Sequence, residues 1–299
     1  MTLLILSHGH EQIEQTQEPL PPLKERVRDV TGETVRRIGR FIQLSLIGAG
    51  HCLHGQTAPA ETAVYLSSGR GDLEVTLDVL TQMIVDGQPP KPLSFINTVS
   101  NSACYYVARH FGLHGRSVCV TRRHAPLESA LTLAALDLDA GQVPMALVGV
   151  VDICTSPLVD HRKRLALPAN APVGEGSHWF LLAASSALVH AQTEALARLD
   201  AVIYLPDHAA LTRWLGSHTD AFQSGVLMCG QHTPHTTATT LRQCTGLPHW
   251  TPPVTPPWYD CHAGHHLGQF LQHAPARTLL HIDCDALGGF NLMQVTLLC

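Results

Sequence analysis

The chain has 299 residues, of which 45% are hydrophobic and only 14% charged, with a formal net charge of −5. Ordinary soluble domains carry about 25% charged residues; so low a fraction excludes disorder, which needs high charge and little hydrophobicity, and the acidic balance excludes the basic footprint of a nucleic-acid binder. The unusual counts are 20 His and 9 Cys, which direct attention to metal chemistry.

In chain order, Thr2–Leu6 is predicted as a first strand and Glu11–Pro22 as a polar loop. Residues 31–52 carry Val35, Ile38, Phe41, Ile42, Leu46 and Ile47 at three- and four-residue spacing, the pattern of one amphipathic helix. Thr62–Ser67 is a short apolar strand closed by Gly69 and Gly71, and Asp72–Val85 a helix ended by Pro89, Pro90 and Pro92. A helix over 101–113, a strand over Ser117–Thr121, a helix over 125–140 and a strand over Met145–Ile153 follow, and Trp179–Ala184 is one more strand. Strands that are apolar on both faces and alternate with helices belong to a covered sheet, so the fold class is α/β. After about residue 190 the alternation restarts: a strand at Ala201–Leu205, a helix at 207–219, a strand at Val226–Cys229, a His/Thr/Pro-rich stretch from 231 to 257, a short helix at 266–273 and a final apolar segment from Leu279 to Leu298. One domain of two unequal halves, about 1–190 and 191–299, is expected.

The cysteines form no Cys-x-x-Cys pair, and several sit in apolar runs, where a free thiol packs as a small hydrophobe. The apolar start is too short for a secretory leader, and no apolar run nears the ~18 residues of a membrane span. A reduced, cytoplasmic protein is expected. For zinc, His232 with His235 and the cluster Cys261, His262, His265, His266 would have to converge tetrahedrally; their proline- and threonine-rich setting is a poor scaffold, so neither metal nor cofactor is expected. Gly69-Arg70-Gly71 lacks the spacing of a phosphate loop and is expected to be a turn, and Glu61, Asp72 and Glu74 show no carboxylate pairing.

Gly112–Asp152 runs glycine turn, strand, sharp connection, small-residue helix, glycine stop, strand. This resembles the nucleophile region of β-ketoacyl synthases, of the thiolase-like superfamily. Gly174-Glu175-Gly176, Gly264-His265 with Leu267-Gly268, and the loop Ala286-Leu287-Gly288-Gly289-Phe290-Asn291 resemble three further motifs of that family in the right order. The resemblance implies a thiolase-like fold: two related α/β halves with sheets layered between helices, αβαβα. It also implies chemistry that is missing. The family's cysteine position holds His124, which cannot store an acyl chain as a thioester, and its lysine position holds Asp260. The family's first histidine falls within CGQHTPHTT, at Cys229 if Thr233-Pro234 is aligned, or at His232 or His235 with a shift; the second is retained as His265. A helix N-terminus and Arg122–Arg123 would keep His124 neutral.

The implied role is a non-catalytic subunit, a chain-length factor of the short type associated with aryl polyene and type II polyketide systems. Such a subunit pairs with an active ketosynthase, bounds the acyl tunnel and meets an acyl carrier protein transiently. The strand Ser117–Thr121 would face its counterpart across the interface. Phe95, Asn97, Tyr105, Tyr106, Arg122, Arg123 and Leu127 are the expected tunnel or interface residues, with Gly288, Gly289 and Asn291 in the glycine-rich loop. Two other readings stay open: a thiol-less acyltransferase or decarboxylase working through His124 or His265, and a homodimeric binding protein for acyl chains or carrier protein.

Overall fold

In the computed structural model the described residues are 3–185 and 194–298. The N-terminal elements are β1 (Leu3–Gln15), α1 (Lys24–Thr31), α2 (Arg40–Leu53), β2 (Ala63–Ser68), α3 (Leu73–Ile84), α4 (Pro92–Asn97), α5 (Asn101–His110), β3 (Ser117–Thr121), α6 (Pro126–Asp139), β4 (Met145–Asp152), α7 (Leu158–Arg164) and β5 (Val173–Ala184). Then come β6 (Ala197–Leu205), α8 (His208–Phe222), β7 (Val226–Cys229), α9 (His235–Thr245), α10 (His262–His273), β8 (Thr278–Cys284) and β9 (Phe290–Leu297). The predicted boundary near residue 190, and Thr2 of the predicted first strand, lie outside the described residues.

The nine strands run in the order β3-β2-β4-β5-β1-β6-β9-β8-β7. β1 pairs with β5 along its whole length, but with β6 only through Leu3–Ile5 against Ala197–Leu199. The ladder therefore narrows to three residues between a five-strand leaf and a four-strand leaf. Three apolar clusters show how the layers stack. One face of the first leaf packs under α2 and α5, through Phe41, Leu44, Ile47, Val107 and Trp179. The outer face of the second leaf is covered by α8 and α9, through Leu211, Leu215, Leu241 and Leu280. Between the leaves, α6 and α10 contribute Leu127, Leu131, Leu267 and Phe270 to a core shared with Tyr65, Phe180, Leu279 and Val295. The result is helix, sheet, helix, sheet, helix, as the motifs implied.

Local departures from the expected elements have local causes. β1 runs on through Gln15, where a loop was expected, because after a bulge at Leu6 β5 offers it a partner at every residue from Ser7 to Gln15. The helix expected over 31–52 is two: Gly32 at φ 71° ends α1, and α2 begins only at Arg40. Pro92 ends nothing; it occupies the first turn of α4, where its missing N–H is harmless. β5 begins at Val173, ahead of the expected Trp179, and α7 was not expected at all. Within the stretch expected to be loop, α9 forms despite its threonines, whose hydroxyls bond back to carbonyls one turn earlier: Thr239 to His235 at 3.0 Å and Thr245 to Leu241 at 2.8 Å.

Candidate functional site

The turn that resembles a nucleophile turn lies between β3 and α6. β3 is parallel to β2, and the Arg122 N–H continues the ladder to the Ser68 carbonyl at 2.9 Å before the chain swings away. Ala125, at φ 53° and ψ 50°, makes the swing in the left-handed region, which costs an ordinary L-residue about 1 kcal/mol. Pro126 then opens α6. This fixes His124 at the start of the helix, with its ring 4.6 Å from that of His232 in an edge-on contact. His124 Nδ1 is buried without a hydrogen-bond partner.

His232 is held from behind. Asp283, at the end of β8, accepts from His232 Nδ1 at 2.9 Å, from the His232 backbone N–H at 2.9 Å and from the Thr233 hydroxyl at 3.1 Å. Burial alone would lower the His232 pKa, but the hydrogen bond and charge of Asp283 outweigh it and raise the value. His124 goes the other way: burial, then His232, hold it below its ordinary value, with Arg123 adding only a lesser push. Of the three positions left open in CGQHTPHTT, His232 is the one brought to His124; Cys229 ends β7 and His235 is exposed at the start of α9.

Asp260, at the expected lysine position, is 7% exposed and accepts from Arg70 Nε at 2.8 Å. Gly69-Arg70-Gly71 is thus a turn, clamped at two points: Arg70 to Asp260, and the Gly69 N–H to Asp152 Oδ1 at 2.9 Å. A side chain at Gly69 would collide with Asp260. Asp152, also bonded by Ser68 Oγ at 2.7 Å and by the Cys261 thiol, is pushed up to about 7 by burial and by the charge of Asp260.

His265 is buried on α10 with Nε2 2.8 Å from the Val254 carbonyl, and its ring stands against His178 rather than against the His124–His232 pair. It belongs to a column of imidazoles that runs through the middle layer: His8 to His10 at 6.2 Å, His10 to His178 at 6.1 Å, His178 to His265 at 5.9 Å, His265 to His266 at 6.1 Å, and His266 to His281 at 5.3 Å between centroids. His262 stands beside His266 at 5.9 Å. Burial first, and for most of them then neighbouring histidines, keeps these rings neutral. In the suspected zinc cluster each group turns to a different partner: Cys261 to Asp152, His262 to the Pro257 carbonyl, His265 to Val254 and His266 to His281.

The expected interface residues divide. Phe95 and Tyr105 are each 56% exposed, Arg122 and Arg123 are exposed and Tyr106 is half-buried. Asn97 is buried, and Leu127 points into the core between the leaves because the inner face of α6 fills that layer. Exposed apolar side chains lie at the end of α3, on α4 and in the turns that follow each (Ile84, Val85, Phe95, Ile96, Val99), and β3, against which α5 packs, is one edge of the sheet. In the glycine-rich loop Gly288 adopts φ 87°, Gly289 leaves no room for a side chain against Tyr204, and Asn291 is buried. Sequence reasoning missed Asp283, Arg70 and Glu128. For Asp283 and Glu128 a charged residue amid apolar neighbours (LLHIDC and APLESAL) was the available signal; Arg70, between two glycines, offered none.

Residues 22–163, just under half of the chain, match the family model for the N-terminal domain of β-ketoacyl synthases. A search of curated proteins returned no match. Among solved structures, the ishigamide ketosynthase/chain length factor matches with a TM-score of 0.75 at 16% identity over 100% of both chains. A β-ketoacyl synthase from Burkholderia phymatum STM815 matches with 0.72 at 12% identity over 99% of each. The structure of a type II acyl-carrier protein in complex with its ketosynthase bound to the hexaketide matches with 0.65 at 10% identity over 99% of each. The chain therefore has the thiolase-like fold of the ketosynthases.

Proposed function

We propose that this chain is a non-catalytic, ketosynthase-like subunit, a chain-length factor of the short aryl polyene type, that pairs with an active β-ketoacyl synthase in polyketide chain elongation. The observation that carries the proposal is the His124–His232 contact. Where a condensing enzyme needs a thiolate to take the acyl group, an imidazole sits, and the ring opposite it is tied to Asp283. The lysine position carries an acid already neutralised by Arg70. The open edge of β3 and the exposed apolar side chains of α3, α4 and α5, Tyr105 among them, support a protein partner, since an uncovered strand edge and exposed large apolar side chains invite one. Phe95 and Tyr105 are proposed to line the shared wall of the acyl tunnel, and a carrier protein to dock transiently. A cytoplasmic location, and a single domain with halves meeting near residue 190, are part of the same proposal.

The test is co-expression with a ketosynthase that carries an intact cysteine. The pair should copurify and condense, and His124→Ala in this subunit should leave the pair's turnover within about threefold. A second reading, an acid–base enzyme without a thiol, is favoured by the Asp283–His232–His124 alignment, in which a carboxylate orients one imidazole beside another that is neutral. A thousandfold loss on His124→Ala, with the complex still assembled, would select that reading.

A further inference from the structure

Two cysteines meet where α5 crosses the edge of the sheet. The helix packs across β2 and β3, and in that parallel ladder Leu66 stands opposite Cys119. Cys104, on the inner face of α5, is 1% exposed. Its Sγ lies 3.5 Å from the Val118 carbonyl oxygen and reaches the Leu66 backbone N–H, so it sits over the rung that holds Cys119. Cys119 turns its side chain into the same apolar layer and is half-buried on an edge strand. Both thiols are free, and they are hydrogen-bonded to each other.

The pair is asymmetric. Burial pushes the Cys52 thiol up to about 12 and the Cys229 thiol up to about 11. Cys119 goes the other way, because the hydrogen bond from Cys104 outweighs its burial. Cys104 is raised, first because its proton is held by Cys119 and then by burial. Disulfide exchange is carried out by thiolates, so Cys119 is the group that attacks and Cys104 the group that follows.

We propose that Cys104 and Cys119 form a redox pair which a low-molecular-weight disulfide, such as oxidised glutathione, closes to a disulfide that locks α5 to the edge of the sheet. The Cys119 thiolate attacks one sulfur of the reagent, and the other sulfur leaves as a thiolate and takes up a proton. Cys104 then gives its proton to solvent and attacks Cys119 Sγ, displacing the second thiolate, which is protonated in turn. Two protein thiols are oxidised to one disulfide, and the reagent is reduced to two thiols. Once Cys119 carries the mixed disulfide it has no charge to hold the Cys104 proton, so the first step frees the second thiol to react. Excess thiol drives the exchange backward. The pair lies within one chain and does not rest on the subunit pairing proposed above.

The test treats the purified full-length chain with oxidised glutathione at pH 7.5, blocks the remaining thiols with iodoacetamide and maps tryptic peptides by mass spectrometry. Arg109 and Arg116 place the two cysteines on separate peptides. Those peptides should be joined, with no glutathione left on Cys119, and dithiothreitol should restore both thiols. Cys104→Ser should leave glutathione stably attached to Cys119, and Cys119→Ser should leave the buried Cys104 unmodified. A second readout does not depend on closure: the pH midpoint for alkylation of Cys119 should rise by about one unit or more in Cys104→Ala, which loses the bond that favours the thiolate. Glutathione retained on wild-type Cys119, no modification of either cysteine, Cys104 modified in Cys119→Ser, or a Cys119 midpoint unmoved in Cys104→Ala would overturn the proposal.

Discussion

Arg40 and Glu175 form a buried ion pair in the first leaf. Arg40 Nε lies 2.8 Å and 3.0 Å from the two carboxylate oxygens, and Gln15 Nε2 donates to the same group at 2.9 Å. Removing one member leaves a bare charge in the core, so Arg40→Ala should cost about 3–5 kcal/mol in denaturant unfolding, well above the cost of an apolar swap of both partners. At His232 the expectation is electrostatic: Asp283→Asn removes the charge that outweighs burial, and the titration midpoint of His232, followed by NMR, should fall by about one pH unit or more. Both pairs join residues far apart in sequence, Arg40 with Glu175 and His232 with Asp283. Spacing rules see neighbours within a turn or a strand, so His124 was legible from the motif around it while its partner, chosen by three-dimensional packing, was left among three candidates.

At the scale of elements, the strands with continuous apolar runs and the small-residue helix α6 were readable because burial on both sides leaves no polar face to confuse the period. The misreadings fell where tertiary partners override local composition. β5 passes through Gly174 and Gly176 because Pro257 and Tyr259 fill the space a side chain would take, and α9 tolerates a run of threonines. The element with the most direct functional test is the edge formed by β3 and the apolar helices beside it. Phe95→Glu combined with Ile96→Glu alters two residues that are 56% and 59% exposed, so the fold should persist with an unchanged circular dichroism spectrum. The same pair of changes should cut copurification with a ketosynthase by more than about tenfold, and should make the lone chain more soluble.

For the whole molecule, the histidine surplus becomes a dependence of stability on pH. An unfolded histidine titrates near 6.5, whereas His8, His161 and His262 are held down to about 4 by burial. Between those values the unfolded chain binds more protons, so stability falls as the pH drops from about 6.5 toward 4. Glu128, Asp152 and Asp72, raised to about 7, act in the opposite sense over the same range, because the native state holds their protons. The lowered histidines, which also include His10, His178, His265, His266 and His281, outnumber them. The melting temperature should therefore fall by more than about 5 °C between pH 7.5 and 5, as read by scanning calorimetry.

The three-residue junction between Leu3–Ile5 and Ala197–Leu199 has a thermal consequence. Among the described residues it is the only strand ladder that crosses the midline, so the two leaves are held together chiefly by the side chains of α6 and α10 and the faces they touch. Cohesion of that kind is a property of water as much as of protein. It weakens on cooling and yields to pressure, whereas the ladders inside each leaf do not share that sensitivity to the same degree. Chilled or compressed, the molecule should part along its spine before either leaf frays.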